Sequence, residues 1–246
     1  MTEDQLYNKL KDEFEKIIIN NNIQADLVLI KSRSLSPEEA IGITERKDFP
    51  ILTGKEVMLQ AEYQGFYGQA FTDAPSIFSG TLSQILELDL MNDNHSRGLF
   101  ISTMNAVMRK LDLADHTIHC KNDGPELCGK QFVPYMKDHY NNPKIALIGY
   151  QPSILENLAA VFDLRVLDLN PDNVGQLRYC IKVEHGINDY DEVINWADII
   201  LCTGSTICNG TIVNFLNLNK DVLFFGTSIA GAATILELKR VCFESE

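Results

Sequence analysis

The sequence predicts an α/β protein: a Rossmann-like, doubly wound sheet in the second half and an α+β domain in the first. Three observations carry this. From Lys144 onward, short apolar runs alternate with segments of helical periodicity, the order of a parallel sheet with crossover helices. Before Asn141 the order is helix, paired strands, then helices. Asn141-Asn142-Pro143 reads as the boundary, giving domains over residues 1–140 and 143–246.

In the first half, Leu6, Leu10, Phe14, Ile17 and Ile18 fall at helical spacing over Asp4 to Ile19, and Asn20-Asn21-Asn22 stops that helix. Asp26 to Ser32 and Glu39 to Thr44 read as strands. Glu56 to Gln64 and Phe66 to Thr72 read as two more, joined by a tight turn at Gly65. Ser76 to Leu90 and Asn94 to Leu111 read as helices. The second puts Phe100, Met104, Val107, Met108 and Leu111 on one face, with Asp93 or Asn94 as its cap. Glu126 to Lys137 is expected as a helix opened by Pro125.

In the second half, Lys144 to Ile148 is a continuous apolar strand, as expected where both faces are covered. Ser153-Ile154-Leu155-Glu156 reads as a capping box for a helix to about Phe162. Strands follow at Arg165 to Leu169, Tyr179 to Val183, Asp198 to Cys202 and Asp221 to Phe225. Helices are expected at Asp189 to Trp196, Thr206 to Leu216 and Ile229 to Lys239.

The 246 residues carry a net charge of -13, with 45% apolar and 22% charged residues. So acidic a surface repels phosphate backbones and argues against nucleic acid. No apolar run approaches the roughly 20 residues that span a bilayer, and Met1 to Lys16 lacks the apolar core of a secretory signal. A cytoplasmic location is therefore expected, where thiols stay reduced. The six cysteines then read as buried thiols, metal ligands or nucleophiles. A small molecule, a metal ion or a second copy of the chain remain as partners; nucleic acid and membrane do not.

Ligands of open α/β sheets bind beyond the carboxyl ends of the strands. Here those ends are Gly149-Tyr150-Gln151-Pro152, Asp168-Leu169-Asn170, Thr203-Gly204-Ser205-Thr206 and Gly226-Thr227-Ser228. Asp168 stands about 20 residues past Gly149, where a ribose-binding acid would sit, but the G-x-G-x-x-G fingerprint is missing, which argues against ordinary NAD binding. Asp168 reads equally as a turn or cap residue. The loop from Thr203 to Thr211, including Asn209, is rich in glycine and hydroxyls and is expected to open a helix. Free N–H groups and the helix dipole would then favour an anion. The plainer alternative is a well-capped helix. Cys208 in the first turn would be an activated thiol or simply a small buried residue.

His119-Cys120 and Cys128, with Asp123 and Glu126 between, supply soft and hard ligands for a transition metal ion within one segment. The spacing is wider than a zinc knuckle, and plain thiols are the alternative. Glu184, after a strand, is an acid/base candidate or a solvated glutamate. His139 and His185 are lone histidines. Asn105, among the apolar neighbours Met104, Ala106 and Val107, needs partners; it caps a loop or points into an interdomain cleft.

Ile145 to Gln151, Asp168-Leu169-Asn170, Ala197 to Leu201 and Thr203-Gly204-Ser205-Thr206…Asn209-Gly210-Thr211 resemble the heavy-metal chelation family of unknown function. Met104 to Val107 and His119 to Cys128 fit it more loosely. The resemblance implies an enolase-N-terminal-like domain followed by a Rossmann-like one, a site in the cleft between them, and a role in heavy-metal chelation. It also implies a tail after Ser228 shorter than in some members, with a lid over the site missing. Two functions are expected from these readings: binding of a small anionic ligand or metal chelate, or lyase or transferase chemistry on a nucleotide-like or metal-complexed substrate through Glu184 or Cys208. The binding residues would be Asn105, Asp168, Thr203, Gly204, Ser205, Thr206, Asn209, Gly226, Thr227 and Ser228, with Cys120 and Cys128 on the metal.

Overall fold

The computed structural model describes residues 1–54 and 56–246. Helix α1 (Glu3–Asn20) opens on a capping box between Thr2 and Gln5 and buries Leu6, Leu10, Phe14 and Ile18. Strand β1 (Leu29–Leu35) begins three residues later than expected. The strand expected over Glu39 to Thr44 is instead helix α2 (Pro37–Ile41). Ser36 and Glu39 close a reciprocal capping box there, with bonds of 3.2 and 2.9 Å, and Pro37 pre-sets the first turn. A short helix α3 (Pro50–Thr53) follows.

Strands β2 (Val57–Tyr63) and β3 (Phe66–Thr72) form the expected hairpin. Gln64 and Gly65 both take positive φ, 51° and 82°, the pairing a tight hairpin turn requires. The helix expected from Ser76 starts as strand β4 (Phe78–Thr81), because that segment pairs with β1. Only helix α4 (Leu82–Leu86) remains of it. The four strands form an antiparallel sheet in the order β3-β2-β1-β4.

Helix α5 (Asn94–Lys110), capped by Asp93, is buried from Ser96 through Met108. It lies directly on the hairpin. A Cβ at Gly68 would come within 2.2 Å of the Ala106 nitrogen, so only glycine allows this approach. Each fully buried side chain such as Phe100 or Met104 contributes roughly 1.5–3 kcal/mol.

Helix α6 (Gly124–His139) carries Pro125 in its first turn. Beyond it come β5 (Ile145–Ile148), α7 (Pro152–Ala159), β6 (Leu164–Asp168), β7 (Leu177–Arg178), β8 (Ile181–His185), α8 (Tyr190–Trp196), β9 (Ile199–Thr203), β10 (Asp221–Phe225) and α9 (Ala230–Leu236). The second sheet runs β10-β9-β5-β6-β8-β7, parallel except for β7. Its centre is buried on both faces. Ile145 and Leu147 meet Phe132, Met136 and Leu155 of α6 and α7. Ala146 and Ile148 join the other core, which runs without a break through α5 to α1 and the first sheet. The molecule is thus an α/β protein with an antiparallel four-stranded sheet followed by a mostly parallel six-stranded one.

Two local expectations fail in this half. Helix α7 has Gln151 at its cap, and Ser153 instead reaches Glu126 of α6, with its hydroxyl 3.2 Å from the carboxylate. The helix expected over Thr206 to Leu216 is two 3₁₀ turns, Gly204–Ile207 and Thr211–Phe215. Thr206 Oγ1 donates to the Thr203 carbonyl (2.7 Å), Asn209 Oδ1 accepts from Thr211 N (3.0 Å), and Gly210 turns left-handed at φ 80°. These side-chain bonds compete with the helical ladder. The strong helix dipole on which an anion site would rest is therefore absent.

Candidate functional site

Beyond the carboxyl ends of β5, β9 and β10, a cavity of about 90 Å³ lies between the two sheets. That is room for roughly three waters, so it suits an ion or a very small molecule. One wall is apolar and comes from the first half: Phe49, Pro50, Ile51, Met58 and Phe71. A second wall carries Thr203, Ser205 and Gly226 to Ser228 from the strand ends. A third carries Cys120, Cys128 and Cys242. No lysine or arginine lines it among the described residues.

The hydroxyl wall is largely occupied by the protein itself. Thr203 Oγ1 lies 3.2 Å from Ser205 Oγ. Ser228 Oγ accepts from Phe71 N at 2.8 Å, tying β3 to the loop before α9. Asn105 explains why that loop is fixed. It is 0% exposed. Its amide donates to the carbonyls of Gln69 (2.9 Å), Thr227 (3.1 Å) and Ser228 (3.3 Å) and accepts from Gly231 N (2.8 Å).

Of the residues singled out from sequence, Thr203, Ser205, Gly226, Thr227, Ser228, Cys120 and Cys128 meet at this cavity. Asn105, Asp168, Gly204, Thr206 and Asn209 do not line it. Gly204 is pressed on Ile229, where a Cβ would come within 2.8 Å. Asn209 folds back on Thr211. Asp168 accepts from Tyr150 N and Asn170 N, both at 2.6 Å, and so closes two strand-end loops. Burial pushes its carboxyl up, against the pull of those N–H groups.

The sulfur wall is assembled from three elements. Cys120 precedes α6, Cys128 sits in its second turn, and Cys242 lies in the segment after α9. Cys120 is buried, and its sulfur faces His119 Nδ1 at 3.7 Å. Cys128 and Cys242 line the same wall of the cavity. Ser245 Oγ donates to Cys242 Sγ at 2.8 Å. The Cys128 side chain, the Ser245 hydroxyl and the charge of Arg240 hold the Cys242 thiol well below the ordinary range. The Cys242 side chain and burial push Cys128 up, and burial pushes Cys120 up to about 12.

The final segment is fastened over this wall. Ile118 and Glu246 exchange two backbone hydrogen bonds at 2.9 Å. Phe243 packs edge-on against Phe132 at 5.1 Å, and Arg240 Nε donates to the Gly226 carbonyl at 3.0 Å. This segment contributes Cys242 and Ser245 to the cavity lining. Sequence reading missed Cys242; its signal was only a sixth cysteine outside any motif.

It also missed Arg46. From the segment between α2 and α3, this guanidinium reaches Glu126, Glu156 and the Tyr179 hydroxyl. Burial works against its charge, and the carboxylates of Glu126 and Glu156 overcome that and hold it protonated. Tyr179 and Tyr150 donate to Asp48 at 2.6 and 3.1 Å. Glu56 was missed too: burial, with Asp168 and Asp73 nearby, pushes its carboxyl up to about 7.

The expected reactive groups are otherwise engaged. Cys208 is 3% exposed, and burial pushes its thiol up to about 12, so it is no activated nucleophile. Glu184 pairs with Arg165 through two oxygens. His139 stacks on Tyr135 at 4.2 Å, and His185 Nδ1 accepts from Ile187 N at 3.1 Å.

As a metal site the donor set is specific. Among the described residues, no three His, Cys, Asp or Glu side chains converge to hold an ion. Tetrahedral zinc, which asks for four ligands, does not fit. Cys128 and Cys242, on one wall of the cavity, are the donor type that suits a soft ion satisfied by few sulfur ligands, as Cu(I) is.

Residues 135–237 match the model of the DUF364 family, described as "Putative heavy-metal chelation". Comparison with curated proteins gives no match. Among solved structures, the chain is similar to a protein of unknown function from the DUF364 family of Pyrococcus horikoshii. The identity is 16%, the match covers 91% of this chain and 79% of that one, and the TM-score is 0.51, a likeness of fold. A DUF364 protein from Desulfitobacterium hafniense DCB-2 matches at 14% identity over 73% of this chain and 72% of that one, with a TM-score of 0.47. No helix among the described residues is long and apolar enough to cross a membrane.

Proposed function

We propose that the protein binds a soft, thiophilic metal ion between its two sheets, a reading supported by the match of residues 135–237 to the DUF364 family model. Cys128 and Cys242 are the ligands, with Cys120 beside them. The observation that carries this reading is the convergence of Cys120 and two partly exposed thiols, Cys128 and Cys242, on the wall of a cavity of about 90 Å³. Sequence left open an anionic ligand or a metal. The apolar wall, and the absence of a lysine or arginine among the described lining residues, favour the metal, because a bare anion would lose its hydration there without a counter-charge. Thiolates bring their own charge to a cation. On this reading the first sheet with α5 is an enolase-N-terminal-like cap over residues 1–140, and residues 143–246 form a Rossmann-like domain. The switch in strand order between β5 and β9, beside the cavity, supports that.

The experiment is titration of the reduced protein with Ag(I) or Cu(I) against a competing chelator. A single tightly held ion per chain is expected, lost in Cys128→Ser/Cys242→Ser. A double variant that binds like the parent would overturn the assignment.

A further inference from the structure

We propose that the cavity takes a small organometal cation: a soft ion such as mercury(II) carrying one methyl or ethyl group. The metal sits on the sulfur of Cys128 or Cys242, and the alkyl group lies against the apolar wall. The proposal rests on the sulfur-wall reading above and adds what that reading leaves unused. A bare ion has no employment for Phe49, Ile51, Met58 and Phe71, which line the same space as the sulfurs.

That apolar wall is held in place by the fold. Met58 and Phe71 pair directly across β2 and β3 and so share one face of the first sheet. Phe49 and Ile51 come from the segment between α2 and β2 and pack with Met58 in a cluster of their own. Two hydrogen bonds tie this sheet face to the rest of the lining. Ser228 Oγ accepts from Phe71 N at 2.8 Å. Gln69, two residues along β3 and on the same face, accepts from His119 N at 2.7 Å and so fixes the segment that carries Cys120.

Size and charge agree with such an occupant. A volume of about 90 Å³, room for roughly three waters, exceeds a bare ion and accommodates a metal with one or two carbons. The described lining residues include no Asp, Glu, Lys or Arg, which suits a guest that is neutral once bound. A monocation on one thiolate is neutral. The binding step is an exchange of ligands. The cation arrives as its chloride, the protein thiol gives its proton to solvent, the sulfur–metal bond forms, and chloride leaves with the electron pair of its own bond. The metal–carbon bond stays intact, and nothing is oxidised or reduced. A small thiol in water offers the same sulfur without the wall, so only the protein gains from added carbon.

The test uses the full, reduced chain carrying Cys180→Ser, which removes the exposed thiol. Methylmercury chloride and ethylmercury chloride are each partitioned between this protein and glutathione. Ethylmercury is expected to favour the protein roughly fourfold more than methylmercury does, the worth of one buried CH₂. Peptide mapping should find the adduct on Cys128 or Cys242. Ile51→Ala, which opens the apolar wall, should bring the two partition ratios together. Equal partition of the two cations in the chain with Ile51 intact, or an adduct on any other cysteine, would overturn the proposal. Ag(I) titration of the same chain separates this idea from the metal reading. Silver held by a chain that does not distinguish methyl from ethyl keeps the bare ion and sinks the alkyl guest. Ethyl preferred by a chain that holds no silver does the reverse.

Discussion

The hydroxyl wall and the sulfur wall face the same cavity, yet their side chains are spent differently. Thr203, Ser205 and Ser228 bond to one another or to the β3 backbone. Cys128 and Cys242 face the cavity, and the side-chain partner of Cys242 is the Ser245 hydroxyl of its own segment. The richest polar motif in a loop is therefore not automatically its binding surface. Glycine and hydroxyl clusters also arise where a chain must satisfy itself at a crowded strand end. Sulfur brought together from the start of α6 and from the segment after α9 has no such local use.

The largest effect should come from the residue that holds the hydroxyl wall in place. Asn105→Leu leaves Gly231 N and three carbonyls without their buried partner, and should cost roughly 3 kcal/mol by urea unfolding. A variant as stable as the parent would break the claim that this wall is structural.

Next comes Glu56, near Asp168. Its folded pKa of about 7 lies above the unfolded value of roughly 4.3. Its contribution is therefore full below the unfolded value and is lost as pH rises through the folded one. Stability from this group should fall between about pH 4.5 and 7, by about 2 kcal/mol. Glu56→Gln should flatten that slope in unfolding curves taken across the range.

Arg46→Ala strips Glu126 and Glu156 of their cation on a partly solvated face. It should cost about 1–2 kcal/mol. Soft-ion affinity should survive, because neither thiol touches this network.

The smallest change in folding should come from the sites that divide the two walls. Thr203→Val and Cys242→Ser should each shift stability by less than about 1 kcal/mol. Only Cys242→Ser should abolish silver binding. Equal silver affinity in the two variants would erase the distinction between the walls.

Legibility in the sequence followed the range of the interaction. The β2–β3 hairpin was readable because Gly65 and the alternating strands lie side by side, and β10 because its apolar run is short and bounded. The 39–44 segment was misread although its signal was local, since Ser36-Pro37-Glu38-Glu39 caps a helix. The 76–90 segment was misread for a non-local reason: β4 owes its extended form to pairing with β1, some fifty residues away. The same holds for the site. Cys120 and Cys128 were visible as a spaced pair, and Thr203 to Ser205 as a strand end. Cys242 reaches Cys128 only through the return of the chain after α9, and Arg46 finds Glu126, Glu156 and Tyr179 only in three dimensions.

The unbroken core from α1 through α5 into the second sheet has a consequence for traffic. Sheets that share one interior cannot swing apart like jaws without exposing it, so a clamshell motion is costly. Residues 42–54 are a different matter. Leu35, Ala40, Ile41, Phe49, Ile51 and Met58 form their own small satellite cluster, and Gly42 at φ 70° marks where the segment departs. Unfastening Arg46 and Asp48 would lift this strap and leave the great interior sealed, so access to the cavity could change at this edge alone.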